Sequence, residues 1–236
     1  MKKIFCSVVI MILFAFNAKA QYYFDRSKNP DKPIVEKSGR NFDSFYFLSW
    51  DNNTPLSNQN YIGQSTALGT KLGFRKRLND VDKLWAGADF GWSVYKEHVP
   101  YTTYQYGSQS ISTDLYNYAY NFSLTANLDY FFAPMDKLFV PYGGVGVGLA
   151  YAKFTQYYYI YGENIDSFGV QLRPEIGILI GFKENSSWRI KAAFHYDYAS
   201  NTGKLVEHNF ITPGNNDNYK GFVNMGFQVG IVKMAW

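Results

Sequence analysis

The segment from Tyr118 to Tyr130 alternates residue by residue between two kinds of side chain. Its even positions are all aromatic or aliphatic, whereas its odd positions are small or polar and end at Asp129. Successive side chains of a β-strand point to opposite faces, so this pattern predicts a strand with one apolar and one polar face. On a helix, Asn121 and Asp129 would be spread around the cylinder and leave no coherent apolar stripe.

The same alternation recurs and predicts eight strands in all. Their expected bounds are Phe45–Asn52, Thr66–Leu78, Leu84–Tyr95, Tyr116–Phe131, Leu138–Phe154, Phe168–Phe182, Trp188–Tyr198 and Gly221–Val232. The first and last segments carry apolar residues on both faces, and a β-bulge near the C-terminus is expected.

The connections between these strands are short and long in strict alternation. The short ones are Asn79–Lys83, Ala133–Lys137 and Lys183–Ser187. The long ones are Asp51–Ser65, Lys96–Leu115, Thr155–Ser167 and Ala199–Lys220. Such an order places all long loops at one end, as in outer-membrane barrels with short periplasmic turns and long external loops. The tyrosine-rich stretches Tyr101–Tyr106 and Tyr157–Tyr161 are expected either to form a contact surface or to continue the strands above the membrane.

Either face of such a barrel could line its interior. A soluble lipocalin-like barrel encloses its apolar face around a ligand, whereas a membrane barrel turns that face outward. Gly144, Gly146 and Gly148 share the polar face and leave room there for long side chains, which favours a crowded lumen over a solvated face of a soluble sandwich. The polar residues expected to form a lumen network are Lys71, Arg75, Arg77, Asp89, Asp129, Arg173, Glu175, Arg189, Lys191, His195 and Asp197.

Turn geometry extends this expectation to individual contacts. Turns centred on Asp82 and Asn185 would bring oppositely charged residues of neighbouring strands together on one face. The expected pairs are Arg75–Asp89, Glu175–His195 and Arg173–Asp197.

Aromatic residues make up 19% of the chain and concentrate near both ends of the predicted strands. Those near the short turns are Trp85, Phe131, Phe132, Phe139, Trp188 and Trp236. Those near the long loops are Tyr95, Tyr116, Tyr118, Tyr157, Tyr158, Tyr159, Tyr196 and Tyr198. Two such bands are typical of side chains at the two lipid–water interfaces.

The first 41 residues differ from the rest. Residues 1–20 combine two early lysines, the apolar run Ile4–Phe16 and a small-residue cleavage pattern, which predicts a secretory signal peptide. The apolar run is shorter than the roughly 20 residues that a spanning helix needs. Polar residues 21–41 are expected to form a periplasmic arm, and residues 42–236 the barrel. Cleavage would remove three lysines and the only cysteine, leaving 20 basic and 19 acidic residues, so neither nucleic acid nor a disulfide is expected.

With these features, residues 42–236 resemble the small eight-stranded outer-membrane barrels of the OmpA-like and OmpX-like kind. The resemblance rests on the signal peptide, the alternating strands, the glycine-rich stretch Pro141–Leu149 and the terminal Trp236. It implies that Trp236 is the recognition signal for the outer-membrane assembly machinery, and that no peptidoglycan-binding domain is attached. That family includes adhesins, anchors, secretion accessories and a few enzymes, so the fold does not select a function.

Three histidines are the main candidates for chemistry. His98 and His208 fall in predicted loops, whereas His195 shares the polar face with Asp197. A histidine–carboxylate pair can act as a general base, but a lumen position favours a structural role. The Gly143–Gly148 run is not followed by a predicted helix, so it is not a nucleotide site. No catalytic residue, metal or cofactor is expected.

The sequence therefore predicts an all-β, eight-stranded antiparallel up-and-down transmembrane barrel in a Gram-negative outer membrane, with a structural or surface-interaction role. The alternatives are a narrow pore, a lipid-modifying enzyme that depends on His195, and a soluble periplasmic binder. Expected partners are outer-membrane lipid, the assembly machinery and an extracellular or envelope protein at the long loops. Phe122, Leu124, Ile178 and Phe194 decide the orientation, because they must face outward in a membrane barrel.

Overall fold

The computed structural model describes residues 42–59, 61–78, 83–106, 109–200 and 221–235. Eight antiparallel strands close into one barrel because β1 pairs with β8 as well as with β2. The strands are β1 (Ser44–Pro55), β2 (Gly69–Arg77), β3 (Leu84–Tyr106), β4 (Gln109–Phe131), β5 (Phe139–Tyr158), β6 (Tyr161–Gly181), β7 (Trp188–Ala199) and β8 (Phe222–Ala235). Closure gives every strand a paired neighbour on both sides within the body of the barrel, so the described residues contain no edge strand there.

The apolar face of the strands points outward, as the sequence predicts. Leu124 is 59% exposed and Phe194 is 68% exposed, and Phe122 and Ile178 also lie on the outer face with partial exposure. The alternate residues point to the axis, where Asn117 is fully buried. The orientation of a membrane barrel is therefore confirmed, and the lipocalin-like arrangement is not found. No helix in the described ranges is long and apolar enough to cross a bilayer.

Two of the predicted long loops are in fact strands. The β3–β4 ladder continues through Lys96–Tyr106 and Gln109–Leu115, where Thr102 pairs with Thr113. The β5–β6 ladder likewise continues through Thr155–Ser167 up to the pair Tyr158↔Tyr161. Their tyrosines and threonines favour extended backbone, in line with the expectation that the tyrosine-rich stretches could continue the strands. The strand reading of the tyrosine-rich stretches is therefore confirmed, and two long hairpins extend from one end of the barrel. We call this the hairpin end and the other the short-turn end.

The bulge expected near the C-terminus is not found, since β8 pairs without a register shift along Phe222–Ala235. The shift instead lies between Val99 and Thr102 on β3. The mixed apolar pattern of the first and last strands has another cause, which is an apolar layer inside the barrel. Phe45 and Phe47 of β1 and Val232 of β8 point inward into that layer.

Inward-facing apolar residues gather at both ends of the lumen. The short-turn plug consists of Phe42, Phe45, Phe47, Trp85, Phe131, Val140, Tyr142, Leu179, Ala193, Val232 and Met234. The hairpin-end plug consists of Tyr61, Ile62, Tyr95, Ala119, Ala150, Ala152, Phe154, Ala199 and Phe222. Each plug is an aromatic and aliphatic layer across one end of the described barrel.

Three residues assigned to the interfacial aromatic bands are therefore placed wrongly by sequence. Trp85, Phe131 and Tyr95 are at most 1% exposed and face the lumen. The bands were assigned by position along each strand, but the alternation of faces puts these odd-numbered residues inside. Phe132, Phe139, Trp188 and Tyr157 lie on the outside and are all about half exposed. Tyr158 instead shares the inward parity of Phe154 and Gln156 on β5.

Several sequence predictions fall outside the described residues. They are the signal peptide 1–20, the arm 21–41, the turn residue Asp82, most of the loop Ala199–Lys220 with His208, and the assembly signal Trp236.

Candidate functional site

The charged layer of the lumen begins with Arg75, which lies on the inner face of β2. Its guanidinium donates hydrogen bonds to both carboxylate oxygens of Asp89 on β3, and its Nε donates to Asp129 on β4. Lys71 joins the same group, with its Nζ 3.2 Å from an Asp89 oxygen. Two cations thus face two carboxylates, all at most 4% exposed.

A second group centres on Arg173 of β6. One of its terminal nitrogens lies 3.0 Å from Asp197 and 3.4 Å from Asp51, and its Nε lies 3.7 Å from Glu175. Lys191 lies 2.8 Å from the other oxygen of Glu175. Here two cations contact three carboxylates. In the low dielectric of the lumen, leaving any of these charges unpaired would cost free energy.

His195 belongs to this second group. Its Nε2 lies 2.9 Å from the amide oxygen of Asn53, 3.4 Å from Asp197 and 3.6 Å from Asp51. The side chain has no exposed surface and is enclosed by the barrel wall. The ring therefore links β7 to β1, as a structural residue would.

The two groups account for nine of the eleven predicted lumen residues. Arg77 lies at the short-turn end and pairs with Asp43, where its side chain is 26% exposed. Arg189 is buried but donates to the backbone carbonyls of Lys137 and Met135, so it fastens one short connection rather than joining a carboxylate. Arg77 and Arg189 both lie at strand ends. There, an inward-facing position along the strand does not by itself determine whether the side chain reaches the ion pairs.

The structure adds lumen partners that the sequence prediction omitted. Asp51 fell at the predicted boundary between the first strand and the following loop, whereas in the structure it lies within β1, which runs to Pro55. Tyr142 donates a hydrogen bond to Glu175, and Gln228 donates to the other oxygen of the same carboxylate. Parity could have indicated both, because each lies on an inward position of its strand. Their neutral side chains gave no charge signal.

The predicted cross-strand pairs can be compared with the observed register. Glu175 is directly opposite His195, as the turn at Asn185 predicts. Arg173 and Asp197 form an ion pair. Arg75 is opposite Gly87 instead of Asp89, so the register between β2 and β3 is displaced by two residues. The arginine still reaches Asp89 diagonally, because its side chain is long enough to span that offset.

The glycines of β5 provide the space that this network occupies. A Cβ at Gly144 would collide with an Asp129 oxygen, and one at Gly146 would collide with Asn127. At Gly148 the obstacle is the backbone carbonyl of Leu124 on the neighbouring strand. A Cβ at the outward-facing Gly143 would meet nothing closer than 3.9 Å.

Both plugs cover this charged layer. At the short-turn end, the ammonium of Lys191 lies 4.0 Å from the ring centroid of Phe47, so the plug packs directly on the ion pairs. At the hairpin end, the segment between β1 and β2 folds into the mouth of the barrel. Its Tyr61 and Ile62 are at most 1% exposed, and Asn117 donates a hydrogen bond to the Tyr61 carbonyl.

The hairpins present large, highly exposed aromatic and aliphatic side chains. Tyr101 is 71% exposed, Tyr159 is 83% exposed and Ile160 is 76% exposed. Within the described residues no group of three or more histidine, cysteine or acidic side chains is arranged to hold a metal. The described structure thus contains a buried polar layer and an exposed aromatic surface.

No protein-family profile matches this chain, and no curated protein sequence is similar to it. Among solved structures, the chain is similar to Neisserial surface protein A, at 17% identity and a TM-score of 0.44, covering 83% of this chain and 97% of that one. It is also similar to Ail, the attachment invasion locus protein of Yersinia pestis, solved with the heparin analogue sucrose octasulfate, at 14% identity, a TM-score of 0.43 and coverage of 82% and 97%.

The outer membrane protein OprG from Pseudomonas aeruginosa gives 16% identity, a TM-score of 0.39 and coverage of 82% and 96%. With TM-scores below 0.5, these likenesses carry no inference, and the fold rests on the strand pairing itself. The chain is an all-β, eight-stranded antiparallel closed barrel with an apolar outer face.

Proposed function

We propose that this chain is a closed outer-membrane barrel that acts without catalysis, as a structural element and as a carrier of a contact surface. One observation supports this above all others: the outside is apolar while the ion-pair layer inside is covered at both ends. Such a surface is stable only against hydrocarbon, because exposed aliphatic and aromatic side chains on all strands would associate in water.

The dimensions of the apolar belt fit a bilayer. On β3 the outward residues are apolar or small from Leu84 to Val94, a stretch of eleven residues, before Lys96 begins the polar part. A tilted transmembrane strand needs about 9–11 residues. The closed ladder pairs the backbone groups within this belt, as hydrocarbon demands.

The plugs argue against the pore alternative. A conducting lumen needs a continuous aqueous path, but the two apolar layers lie across both ends of the charged layer. Paired charges also bind each other in place of ions in transit. A lipid-modifying role is disfavoured because the buried His195 side chain has no exposed surface and cannot reach lipid.

The long hairpins support the surface role. They continue β3–β4 to Tyr106 and Gln109 and β5–β6 to Tyr158 and Tyr161, well beyond the apolar belt. Tyrosine gives large contact area at a low cost in side-chain entropy and is enriched at protein interfaces. A protein of the cell exterior is therefore the expected type of partner.

Site-specific labelling tests the topology. Tyr101→Cys marks a hairpin and Lys137→Cys marks a short connection, and the sequence holds just one other cysteine, Cys6. In intact cells, a membrane-impermeant maleimide is expected to label the hairpin cysteine alone. Equal labelling of both cysteines, or labelling of Lys137→Cys alone, would contradict the proposed orientation.

Heat-modifiable gel mobility and planar-bilayer recording test the closed barrel. The purified chain is expected to migrate differently before and after boiling and to add no steady conductance. Regular single-channel steps from the folded protein would overturn the closed lumen and support the pore alternative.

A further inference from the structure

A pocket lies on the outer wall of the barrel where β2 and β3 differ in length. β2 begins only at Gly69, whereas β3 continues to Tyr106, so the wall beside the extended part of β3 is left open. The cavity has a volume of about 390 Å³ and is lined by Gln64, Ser65, Thr66, Ala67, Leu68, Val94, Lys96 and His98.

The walls of this pocket are fixed by hydrogen bonds. Thr66 pairs with Asn53 of β1 through two backbone hydrogen bonds, and its hydroxyl donates to the Val94 carbonyl of β3. Trp50 donates from its indole nitrogen to the Ala67 carbonyl at 2.5 Å. The segment thus spans from β1 to β3 at a position set by these hydrogen bonds.

The lining changes in polarity along the membrane normal. Ala67, Leu68 and Val94 form the part next to the apolar belt, and Leu68 is 65% exposed there. Lys96 and His98 lie further out on the same face of β3, beyond the end of the belt. A molecule that fits must therefore be apolar toward the bilayer and carry hydrogen-bond acceptors or negative charge away from it.

Aromatic rings adjoin the cationic part of the pocket. The Lys96 ammonium lies 5.8 Å from the ring centroid of Tyr118, and His98 stacks on Tyr116 at 4.5 Å. Tyr118 in turn stacks on Tyr120 at 6.2 Å with an interplanar angle of 11°. The result is a row of tyrosines on the outer surface beside two nitrogen donors, a surface on which the apolar face of a sugar ring can pack.

We infer that this pocket binds the head group of a phosphorylated glycolipid in the outer leaflet. The phosphate would contact Lys96 and His98, the sugar would pack on the tyrosine row, and the acyl chains would follow Leu68 and Val94 into the belt. Asp114 lies 3.7 Å from His98 Nε2, beyond hydrogen-bond distance, and does not line the pocket. The inference depends on the membrane location proposed above.

Lipid retention tests the inference on the folded full-length chain. The protein is placed in phosphatidylcholine nanodiscs that contain bisphosphorylated lipid A, and the lipid A retained per chain is measured after detergent extraction. Replacing both donors, K96Q with H98Q, is expected to lower the retention about tenfold, which corresponds to about 1.4 kcal/mol. Ala67→Trp fills the apolar part without changing charge and is expected to lower retention as well.

The matched control is Lys233→Gln at the short-turn end. Lys233 also faces outward and lies 4.7 Å from the ring centroid of Trp188, so it repeats the lysine–aromatic contact in the other leaflet. Its retention of lipid A is expected to equal that of the unmodified chain. Equal loss in this control would show a general charge effect and overturn the site.

Two further outcomes would overturn the inference. One is equal retention of lipid A from which the phosphates have been removed, and the other is equal retention of phosphatidylglycerol. Each nanodisc sample is also tested for heat-modifiable mobility. A chain that does not fold into the bilayer contradicts the barrel proposal itself, whereas a folded chain without this lipid preference contradicts the pocket alone.

Discussion

The middle of the barrel interior and its two ends use the same inward-facing strand positions but different side chains. The middle contains the ion pairs around Arg75 and Arg173, whereas the ends contain the aromatic plugs. Neither the ion pairs nor the aromatic residues could fill the whole lumen and still stabilise the barrel in the same way. Ion pairs at the ends would be screened by water and salt, and a wholly apolar interior would remove the polar contrast between the two barrel faces.

The difference indicates that each layer depends on the other. Burial of a charge is costly, and its pairing repays that cost only with good geometry and further hydrogen bonds. By excluding water, the plugs make each ion pair stronger and each unpaired charge more unfavourable. We therefore expect single substitutions in the middle to have larger effects than substitutions of similar size at the ends.

The largest effect is expected for Arg173→Ala. The substitution leaves Asp51, Asp197 and Glu175 close together with one cation fewer. Removing one partner of a buried pair costs about 3–5 kcal/mol, and three affected carboxylates place this variant near the upper value. Urea unfolding of the barrel in bilayers measures the change in the free energy of unfolding.

The control for that measurement is Arg77→Ala. Arg77 pairs with Asp43 at the short-turn end, where the aspartate side chain is 53% exposed. An exposed pair is worth at most about 1 kcal/mol. Similar losses in the two variants would show that burial does not separate the middle from the ends.

A smaller loss is expected for Phe131→Ala in the short-turn plug. The Phe131 ring centroid lies 5.7 Å from that of Trp85, 6.1 Å from that of Phe45 and 5.2 Å from that of Tyr142, so the truncation leaves a cavity among three rings. Truncation of a buried phenylalanine costs about 3–5 kcal/mol, and the lower value is expected near an open barrel end.

The neighbouring Phe132→Ala is a matched control, since the two residues are adjacent and face opposite sides of the wall. Phe132 is 51% exposed on the outer face of the barrel. The same urea experiment should therefore show a clearly smaller loss for Phe132→Ala. A loss as large as that of Phe131→Ala would contradict the existence of an interior plug.

The next largest loss of unfolding free energy is expected when a methyl group is added to a glycine beside the ion pairs. Gly148→Ala places a methyl group against the Leu124 carbonyl of β4. A backbone carbonyl in a strand ladder cannot rotate away from the new methyl group as a side chain could. Overpacking of this kind costs about 1–3 kcal/mol. Gly143→Ala is the control, because its methyl group would meet only atoms at 3.9 Å or beyond. Equal unfolding free energies for the two variants would contradict a crowded lumen.

Strand number could be predicted because a period of two is repeated along the chain, and closure because short and long connections alternate. The outward apolar face followed from composition, since glycines and long charged side chains share the opposite face. The placement of Leu124 and Phe194 outside needed no contact information. The extent of the hairpins was left open, because Asn, Gly, Ser and Tyr between strands resemble loop composition even when they pair. Their pairing depends on the partner strand, as for Thr102 with Thr113, and not on local sequence alone.

The interior layers were harder to predict than the wall. Parity, had it been applied to Trp85 and Tyr95, would have placed both inside, but it does not show that apolar residues of several strands meet at the same height. That height depends on the register of each pair, and the β2–β3 register departs from the predicted one by two residues. The pocket beside Lys96 depends on where β2 begins, a boundary that the alternation of Thr66–Leu78 does not fix.

The smallest effect is expected where the two layers meet, at Tyr142. Its ring belongs to the short-turn plug, while its hydroxyl donates a hydrogen bond to Glu175 in the charged layer. Tyr142→Phe keeps the ring and removes only the polar contact. A hydrogen bond to a charged acceptor is worth about 1.5–3 kcal/mol. Since Lys191 and Gln228 still contact Glu175, a loss near the lower value is expected.

Tyr142→Ala separates the two contributions at this position in the same urea experiment. It removes the ring as well, so its additional loss relative to Tyr142→Phe measures the plug, whereas the first step measures the charged layer. A ring contribution larger than that of the hydroxyl is expected, because the Phe131 ring centroid lies 5.2 Å from that of Tyr142 and would face a cavity. If Tyr142→Phe alone accounted for the whole loss, the plug would contribute nothing at this point and the aromatic layer would only fill space beside the ion pairs.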